Sequence, residues 1–147
     1  MAGVVDLFGG LTREELTTAC VELAFKTGDD ATAAAFETDI DAAIDSYHLV
    51  AVGENPTVLV AGPVAFPELP EGAVDLPHIL DIESRTVDPE RKATAAETRF
   101  RADAASAVES GDGETIERLL DVSYELDVWG PVDLAATRDR LDEALEE

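Results

Sequence analysis

Residues 46–67 read SYHLVAVGENPTVLVAGPVAFP and contain two short β-rich runs, HLVAV and TVLVA. The segment GENP lies between them, and its Gly53 and Pro56 favour a reversal of the chain. Two apolar runs around a tight turn are typical of a β-hairpin. The stretch therefore predicts one hairpin. Because three helices are expected before it, the order of elements is that of a winged-helix unit.

The three helices upstream follow from apolar periodicity and from the residues that start and end helices. A short first helix is predicted over residues 2–11. Thr12, followed three positions later by Glu15, forms a capping box that starts a second helix, and Gly28 ends that helix. Residues 32–47 place apolar side chains on one stripe and acidic side chains opposite, which predicts an amphipathic third helix.

The chain after the hairpin divides into a proline-rich connector and a helical region. Residues 63–85 hold four prolines, whose fixed φ angles disfavour a helix or a central strand, so we predict an ordered connector. Within it, residues 78–83 fit either a short strand or one helical turn. Asp88 directly before Pro89 is typical of a helix start. Residues 86–147 then predict a three-helix unit.

Together these patterns predict a mostly helical α+β protein. Its N-terminal half, residues 1–62, is winged-helix-like and carries the one β-hairpin, and its C-terminal three-helix unit is expected to pack on that half. In the middle helix of the three-helix unit, the apolar spacing predicts an inward-facing set of Ile116, Leu119, Leu120 and Tyr124.

The charge balance indicates a saline habitat. The chain has 33 acidic and 10 basic residues and a formal net charge of −23, and its only lysines are Lys26 and Lys92. Acidic excess with scarce lysine is typical of proteins from a halophilic cytoplasm. At about 1 M salt the Debye length is about 3 Å, so distant charges are screened and local charges decide which partners bind.

A single cysteine, the lack of a long apolar run and the lack of a signal-peptide pattern favour a cytoplasmic chain without membrane contact.

The positions of lysine and arginine indicate whether the winged-helix-like half is suited to bind nucleic acid. In winged-helix proteins the third helix and the hairpin contact DNA, which requires basic or hydrogen-bonding side chains on both. No lysine or arginine occurs between Lys26 and Arg85. We therefore predict a non-enzymatic protein-interaction or regulatory module, with a protein partner or self-association. A winged-helix DNA-binding transcription regulator stays as the alternative.

Two places are candidates for the partner surface. One is the apolar part of the connector, with Val64, Phe66 and Leu69, and the other includes Arg91 and Lys92 at the start of the helical region. A competing interpretation of the basic residues there is pairing with acids one helical turn away. The residues concerned are the basic Arg85, Arg91, Lys92, Arg99 and Arg101 and the acidic Glu90, Glu97 and Asp103.

The sequence predicts no catalytic, cofactor-binding or metal-binding residues. His48 and His78 lack a second ligand at metal-site spacing, and Cys20 lies on the apolar face of its helix, where an inert buried thiol is expected. Glycine-rich segments lack the lysine of a phosphate-binding loop. An enzyme with a site built from scattered carboxylates stays as a second alternative.

Several phrases carry a resemblance: VVDLFGGLTREEL, LVAGPVAFPELP, DLPHILDIE and LLDVSYELDVWGPVDLAA. They resemble a small family of uncharacterised acidic proteins found in haloarchaea, and the similarity covers nearly the whole chain. The resemblance implies no activity, cofactor or catalytic residue. In similar sequences the first helix starts several residues earlier, which favours a shortened N-terminus here.

Overall fold

The computed structural model describes residues 1–28, 32–54, 56–65, 73 and 76–146. Within these ranges the chain forms seven helices and one two-stranded antiparallel hairpin, so the predicted mostly helical α+β class is confirmed. The chain divides into two units, Met1–Asp88 and Pro89–Glu147, and each is described by itself. The packing of the second unit on the first stays a prediction.

The first unit begins with three helices: α1 (Ala2–Phe8), α2 (Arg13–Lys26) and α3 (Ala33–Asp45). Helix α1 ends three residues before its predicted end because Gly9 adopts a left-handed conformation with φ 81°. A Cβ atom at Gly9 would lie 1.9 Å from the carbonyl oxygen of Arg85, so this position requires glycine. The close approach brings the segment around Arg85 against the α1–α2 junction.

Helix α2 starts with the capping box that the sequence predicts. The Thr12 N–H donates to Glu15 Oε1 at 2.9 Å, and the Glu15 N–H donates to Thr12 Oγ1 at 3.1 Å. Two backbone N–H groups at the helix start are thereby satisfied. Helix α3 has Thr32 as its N-cap, with the Thr32 hydroxyl accepting from the Ala35 N–H at 3.3 Å.

The hairpin follows α3 and consists of β1 (Leu49–Val52) and β2 (Val58–Ala61). In its register Leu49 lies opposite Ala61 and Val52 lies opposite Val58. On the other side of β2, Leu11 and Leu59 exchange two backbone hydrogen bonds of 3.1 and 2.7 Å. The hairpin is thus joined to the α1–α2 junction as well as to α3.

Helix α3 is shorter than predicted at its C-terminal end. The backbone turns at Tyr47, whose φ is 65°, and the His48 N–H donates to the Ala43 carbonyl at 2.9 Å while the Tyr47 N–H donates to the Ile44 carbonyl at 3.1 Å. These two bonds are those of a Schellman motif, in which glycine is the usual left-handed residue. Tyrosine occupies this position here, and Tyr47 is buried, with 2% of its surface exposed.

The core of the first unit combines all of its elements. It is formed by side chains from α1, α2, α3, the hairpin and a fourth helix, α4 (Leu76–Leu80). Residues 78–83 were predicted to form either a short strand or one helical turn, and α4 is the helical turn. The fully buried large residues are Phe8, Leu11, Leu16, Ile40, Tyr47, Leu49 and Leu76.

The second unit contains α5 (Pro89–Ser110), α6 (Gly113–Trp129) and α7 (Ala135–Glu146). Asp112 caps α6, since its carboxylate accepts from the Thr115 N–H at 3.4 Å and from the Thr115 hydroxyl at 2.7 Å. Each helix contacts the other two. The buried side chains include Ala93, Ala96, Phe100, Ala104, Ala107, Ile116, Leu119, Val122, Leu126, Leu134 and Leu141. Small alanines on α5 let the neighbouring helices approach closely.

Candidate functional site

The third helix of the first unit presents an acidic surface to solvent. Ile40 is the fully buried residue of α3, whereas Glu37, Asp39 and Asp45 are exposed. Asp41 of this helix forms an ion pair with Arg13 of α2 at 2.8 Å, and the side chains of Arg13 and Asp41 are 45% and 66% exposed. Because no lysine or arginine occurs in α3 or the hairpin, the surface that would meet DNA in a winged-helix protein is anionic.

The connector residues of the predicted partner surface are only partly within the described residues. Val64 is half-buried, and its N–H donates to the Tyr47 carbonyl at 3.2 Å, which ties it to the start of the hairpin. Phe66 and Leu69 lie outside the described residues. The apolar part of the connector therefore stays a prediction.

The two basic residues of the predicted partner surface have different surroundings. Arg91 is exposed near the start of α5. Lys92 is half-buried, and its Nζ lies 5.9 Å from the centroid of the Trp129 ring at the end of α6. Lys92 thus makes a cation–π contact within the second unit. Arg91 is the better placed of the two for an external contact.

Two basic residues of α5, Arg99 and Arg101, form the ion pairs that helical spacing predicts. Arg99 lies 3.5 Å from Asp103, and Arg101 lies 3.6 Å from Glu97. Both are pairs of residues four positions apart on α5. Pairs of this kind contribute about 0.3–0.5 kcal/mol each, so they affect stability little.

A cavity of about 270 Å³ lies beside the α1–α2 junction in the first unit. Arg85 closes one side of it, with Nη1 donating to Glu15 Oε1 at 2.5 Å and to the Gly10 carbonyl at 3.1 Å, and with Nη2 donating to Glu15 Oε2 at 3.3 Å. The cavity is lined by Glu15, Asp81, Ile82, Glu83, Ser84 and Arg85.

The electrostatics of this cavity do not suit acid–base chemistry at Glu15. Burial by itself raises the pKa of Glu15. The hydrogen bonds from Arg85 and Thr12, together with the positive charge of Arg85, outweigh burial and hold the pKa below its usual value of 4.5. A carboxylate with a lowered pKa is ionised at neutral pH and is a weak base. The arrangement around Glu15 is that of a structural contact.

Among the residues that the structure describes, no group of three or more His, Cys, Asp and Glu side chains is placed to hold a metal ion. His48 Nδ1 hydrogen-bonds the Ser46 hydroxyl at 2.6 Å. Cys20 is 6% exposed, and burial raises the pKa of its thiol. A thiol with a raised pKa is a poor nucleophile.

The outer side of α6 carries Tyr124 and Val128, so the predicted inward position of Tyr124 is wrong. Tyr124, predicted to face inward, is 58% exposed, and Val128 is 89% exposed. The inward positions are instead taken by residues such as Val122 and Leu126. At about 100° per residue, Tyr124 lies roughly 160° around the helix from Leu126. That angular spacing is the sequence signal that would have placed Tyr124 outside.

Arg138 of α7 holds Tyr124 in place. Its guanidinium carbon lies 4.6 Å from the centroid of the Tyr124 ring. Arg138 Nε donates to Ser123 Oγ at 2.9 Å, and Nη2 donates to the Ser123 carbonyl at 3.2 Å and to Asp127 Oδ2 at 2.5 Å. Because Ser123 is fully buried, the arginine is anchored in the packed part of the unit. The exposed tyrosine ring therefore rests on a fixed cation.

The fold and these surfaces define a mostly helical α+β protein with one unit of four helices and a hairpin and a second unit of three helices. The chain matches the model of a family of unknown function, DUF7109, over residues 1–146, and it belongs to that family. The resemblance to a family of uncharacterised proteins is thereby confirmed. No curated protein and no solved structure shows significant similarity to the chain. In the described part of the chain, no helix combines the length and the apolar character required to cross a bilayer.

Proposed function

We propose that this protein is a non-enzymatic protein-interaction or regulatory module of a halophilic cytoplasm. The observation that carries the proposal is the exposed pair Tyr124 and Val128 on α6, surrounded by carboxylates. Tyrosine and arginine are both enriched in protein interfaces and among the residues that contribute most to binding.

The composition supports the proposed habitat. Acidic residues outnumber basic residues 33 to 10, and two of the 10 are lysines. Carboxylates keep a protein surface hydrated in concentrated salt, whereas in dilute buffer the same net charge would destabilise the folded state by self-repulsion. A saline cytoplasm is the environment in which this composition is an advantage.

A DNA-binding regulator is the second candidate, because the order of three helices and a hairpin in the first unit favours it. The charge of α3 argues against it. Glu37, Asp39 and Asp45 are exposed on the helix that would enter the major groove, and contacts within a few ångströms of phosphate stay repulsive even in high salt. A protein partner therefore fits this unit better than a nucleic acid.

A crosslinked pulldown at native potassium concentration tests the proposal. We expect it to recover one discrete protein partner or a defined oligomer, and light scattering of the purified chain separates these two results. Recovery of no partner, together with a monomer by light scattering, would contradict the proposal. A sequence-dependent shift of duplex DNA at high potassium would instead support the DNA-binding regulator.

A further inference from the structure

The geometry of the second unit points to a specific docking surface and to the chemistry of its partner. We propose that the α6 outer face, defined as Glu117, Asp121, Tyr124, Glu125 and Val128, binds a basic amphipathic segment of a partner protein. The inference rests on the proposed function and deepens it. It assigns the contact to one helix face and specifies the charge of the partner.

The five residues share one side of α6. With 3.6 residues per turn, positions 117, 121, 124, 125 and 128 fall within about a third of the helix circumference. All five are exposed, whereas Ile116, Leu119, Val122 and Leu126 on the opposite side are buried against α5 and α7. The α6 outer face is therefore not part of the three-helix core. Within the unit, Tyr124 contacts Arg138 on one side of its ring, and Val128 is almost fully exposed.

Tyr124 has the properties of a preorganised anchor. Its ring is 58% exposed, yet Arg138 lies against it at 4.6 Å and is itself held by Ser123 and Asp127. A side chain that is already ordered loses less conformational entropy on binding than a free one. The aromatic ring also offers a large contact area, as in the central residues of many interfaces.

Val128 lies one turn after Tyr124 and is 89% exposed, so nearly all of its apolar surface contacts water. An apolar segment that covers Tyr124 and Val128 together would remove this surface from water, which is the dominant favourable term in most protein associations. Anchors at positions i and i+4 of a helix match the spacing of apolar residues in an amphipathic partner helix.

The charge around the anchors selects the partner. Glu117, Asp121 and Glu125 are exposed carboxylates on the same face. The basic Arg118 lies at its edge, and Arg138, which lies against the Tyr124 ring, is paired with Asp127. In about 1 M salt only contacts within about 3 Å escape screening, so lysine or arginine side chains must meet these carboxylates directly. A second copy of this chain would bring carboxylates against carboxylates, which disfavours self-pairing through this face.

A synthetic peptide provides a defined probe. It is an amphipathic helix of about 18 residues, long enough to be helical, with a stripe of leucines and with arginines along both edges of that stripe. Binding is measured by fluorescence anisotropy of the labelled peptide with the full chain in about 1 M potassium chloride, where long-range attraction is screened. A matched peptide carries glutamate in place of arginine. We expect the arginine peptide to bind and the glutamate peptide to bind at least tenfold more weakly.

Substitution of the anchors locates the binding site. Val128→Glu and Tyr124→Ala should each weaken binding of the arginine peptide at least tenfold. The matched control is Phe25→Ala, because Phe25 is a 78% exposed apolar residue on α2 of the other unit, and its loss should leave the affinity unchanged. Val128→Glu is expected to keep the wild-type melting temperature, since Val128 makes few contacts. That variant therefore separates loss of binding from loss of folding.

The charge requirement is tested by removing three carboxylates. The combined variant Glu117→Gln, Asp121→Asn and Glu125→Gln should weaken binding of the arginine peptide at least tenfold. The matched control removes the same number of charges from the exposed side of α3.

That control variant combines Glu37→Gln, Asp39→Asn and Asp45→Asn, and it should bind like the wild type. Equal effects of the two triple variants would mean that the peptide responds to net charge, and this result would overturn the proposal. Concentration-dependent dimerisation of the chain that Val128→Glu abolishes would also overturn it, because the face would then bind a second copy.

The failure of this inference can be distinguished from the failure of the proposed function. If the pulldown recovers a partner that binds Val128→Glu as tightly as the wild type, the α6 outer face is the wrong surface although the protein is an interaction module. If neither the wild type nor the variant recovers a partner and the chain is a monomer by light scattering, the proposed function itself fails.

Discussion

Arg85 and Glu15 illustrate how one contact determines the local structure of the first unit. Arg85 donates to both carboxylate oxygens of Glu15, which lies 70 positions earlier in the chain, and to the Gly10 carbonyl. The Arg85 N–H donates to the Phe8 carbonyl at 2.7 Å. Glu15 Oε1 also accepts from the Thr12 N–H, so the same carboxylate caps α2 and holds the segment that leads to α5.

The charge of Glu15 should contribute a pH-dependent stability. Glu15→Gln keeps an oxygen for the Thr12 N–H but loses the ion pair, so we expect a loss of about 1 kcal/mol in the free energy of unfolding at pH 7. The pKa of Glu15 is lowered in the folded state, so this stabilisation is complete well above pH 4.5 and is lost as the pH falls below that value. Chemical denaturation of both proteins from pH 7 to pH 3 measures the difference.

The control for this prediction is Glu14→Gln. Glu14 is the exposed neighbour of Glu15 in the first turn of α2. Its replacement also removes one negative charge near the positive end of the helix dipole. If Glu15→Gln and Glu14→Gln change stability equally at every pH, then the Arg85 contact contributes nothing measurable.

At the scale of elements, helix ends decide where the chain turns. The capping box at Thr12 starts α2 as the sequence predicts, because it depends on residues three positions apart. The end of α3 differs from the prediction, since the Schellman motif at Tyr47 ends the helix at Asp45. A tyrosine is a costly left-handed residue, so burial of its ring must outweigh the backbone strain. The apolar periodicity of the sequence does not show that a buried tyrosine will adopt the left-handed conformation and end the helix.

Thr12→Ala should destabilise the first unit by about 1 kcal/mol, because the Glu15 N–H loses its side-chain acceptor. Thr18→Ala is the matched control on the same helix. The Thr18 hydroxyl is exposed and donates to the Glu14 carbonyl inside the helix, so alanine there should be neutral or slightly stabilising. Thermal unfolding by circular dichroism compares the two variants, and similar melting temperatures for both would contradict the assigned cap.

At the scale of the whole molecule, charge is the dominant feature. The net charge of −23 is spread over a chain of 147 residues, and the ion pairs described above engage few of its 33 carboxylates. Like charges at close spacing destabilise the folded state unless salt screens them. Within the described residues, the proposed α6 outer face combines such carboxylates with two exposed apolar side chains.

The melting temperature should therefore rise steeply as potassium chloride increases from about 0.1 M to about 1 M, since the Debye length falls from about 10 Å to about 3 Å. The control is the same titration near the sequence isoelectric point of about 4.1, where net repulsion is small. We expect a weaker salt dependence there. Calorimetric scans that give the same salt dependence at pH 7 and near pH 4 would show that screening of charge is not the cause.

The sequence by itself determined the features that depend on near neighbours. The hairpin around residues 53–56, the capping box at Thr12 and the helix start at Pro89 each follow from residues within one turn of the chain, where local hydrogen bonds and fixed φ angles dominate. Tertiary structure decided the rest. It paired Arg85 with Glu15 across 70 positions and placed Arg138 of α7 against the Tyr124 ring of α6, because contacts between residues far apart in the chain depend on how whole elements pack.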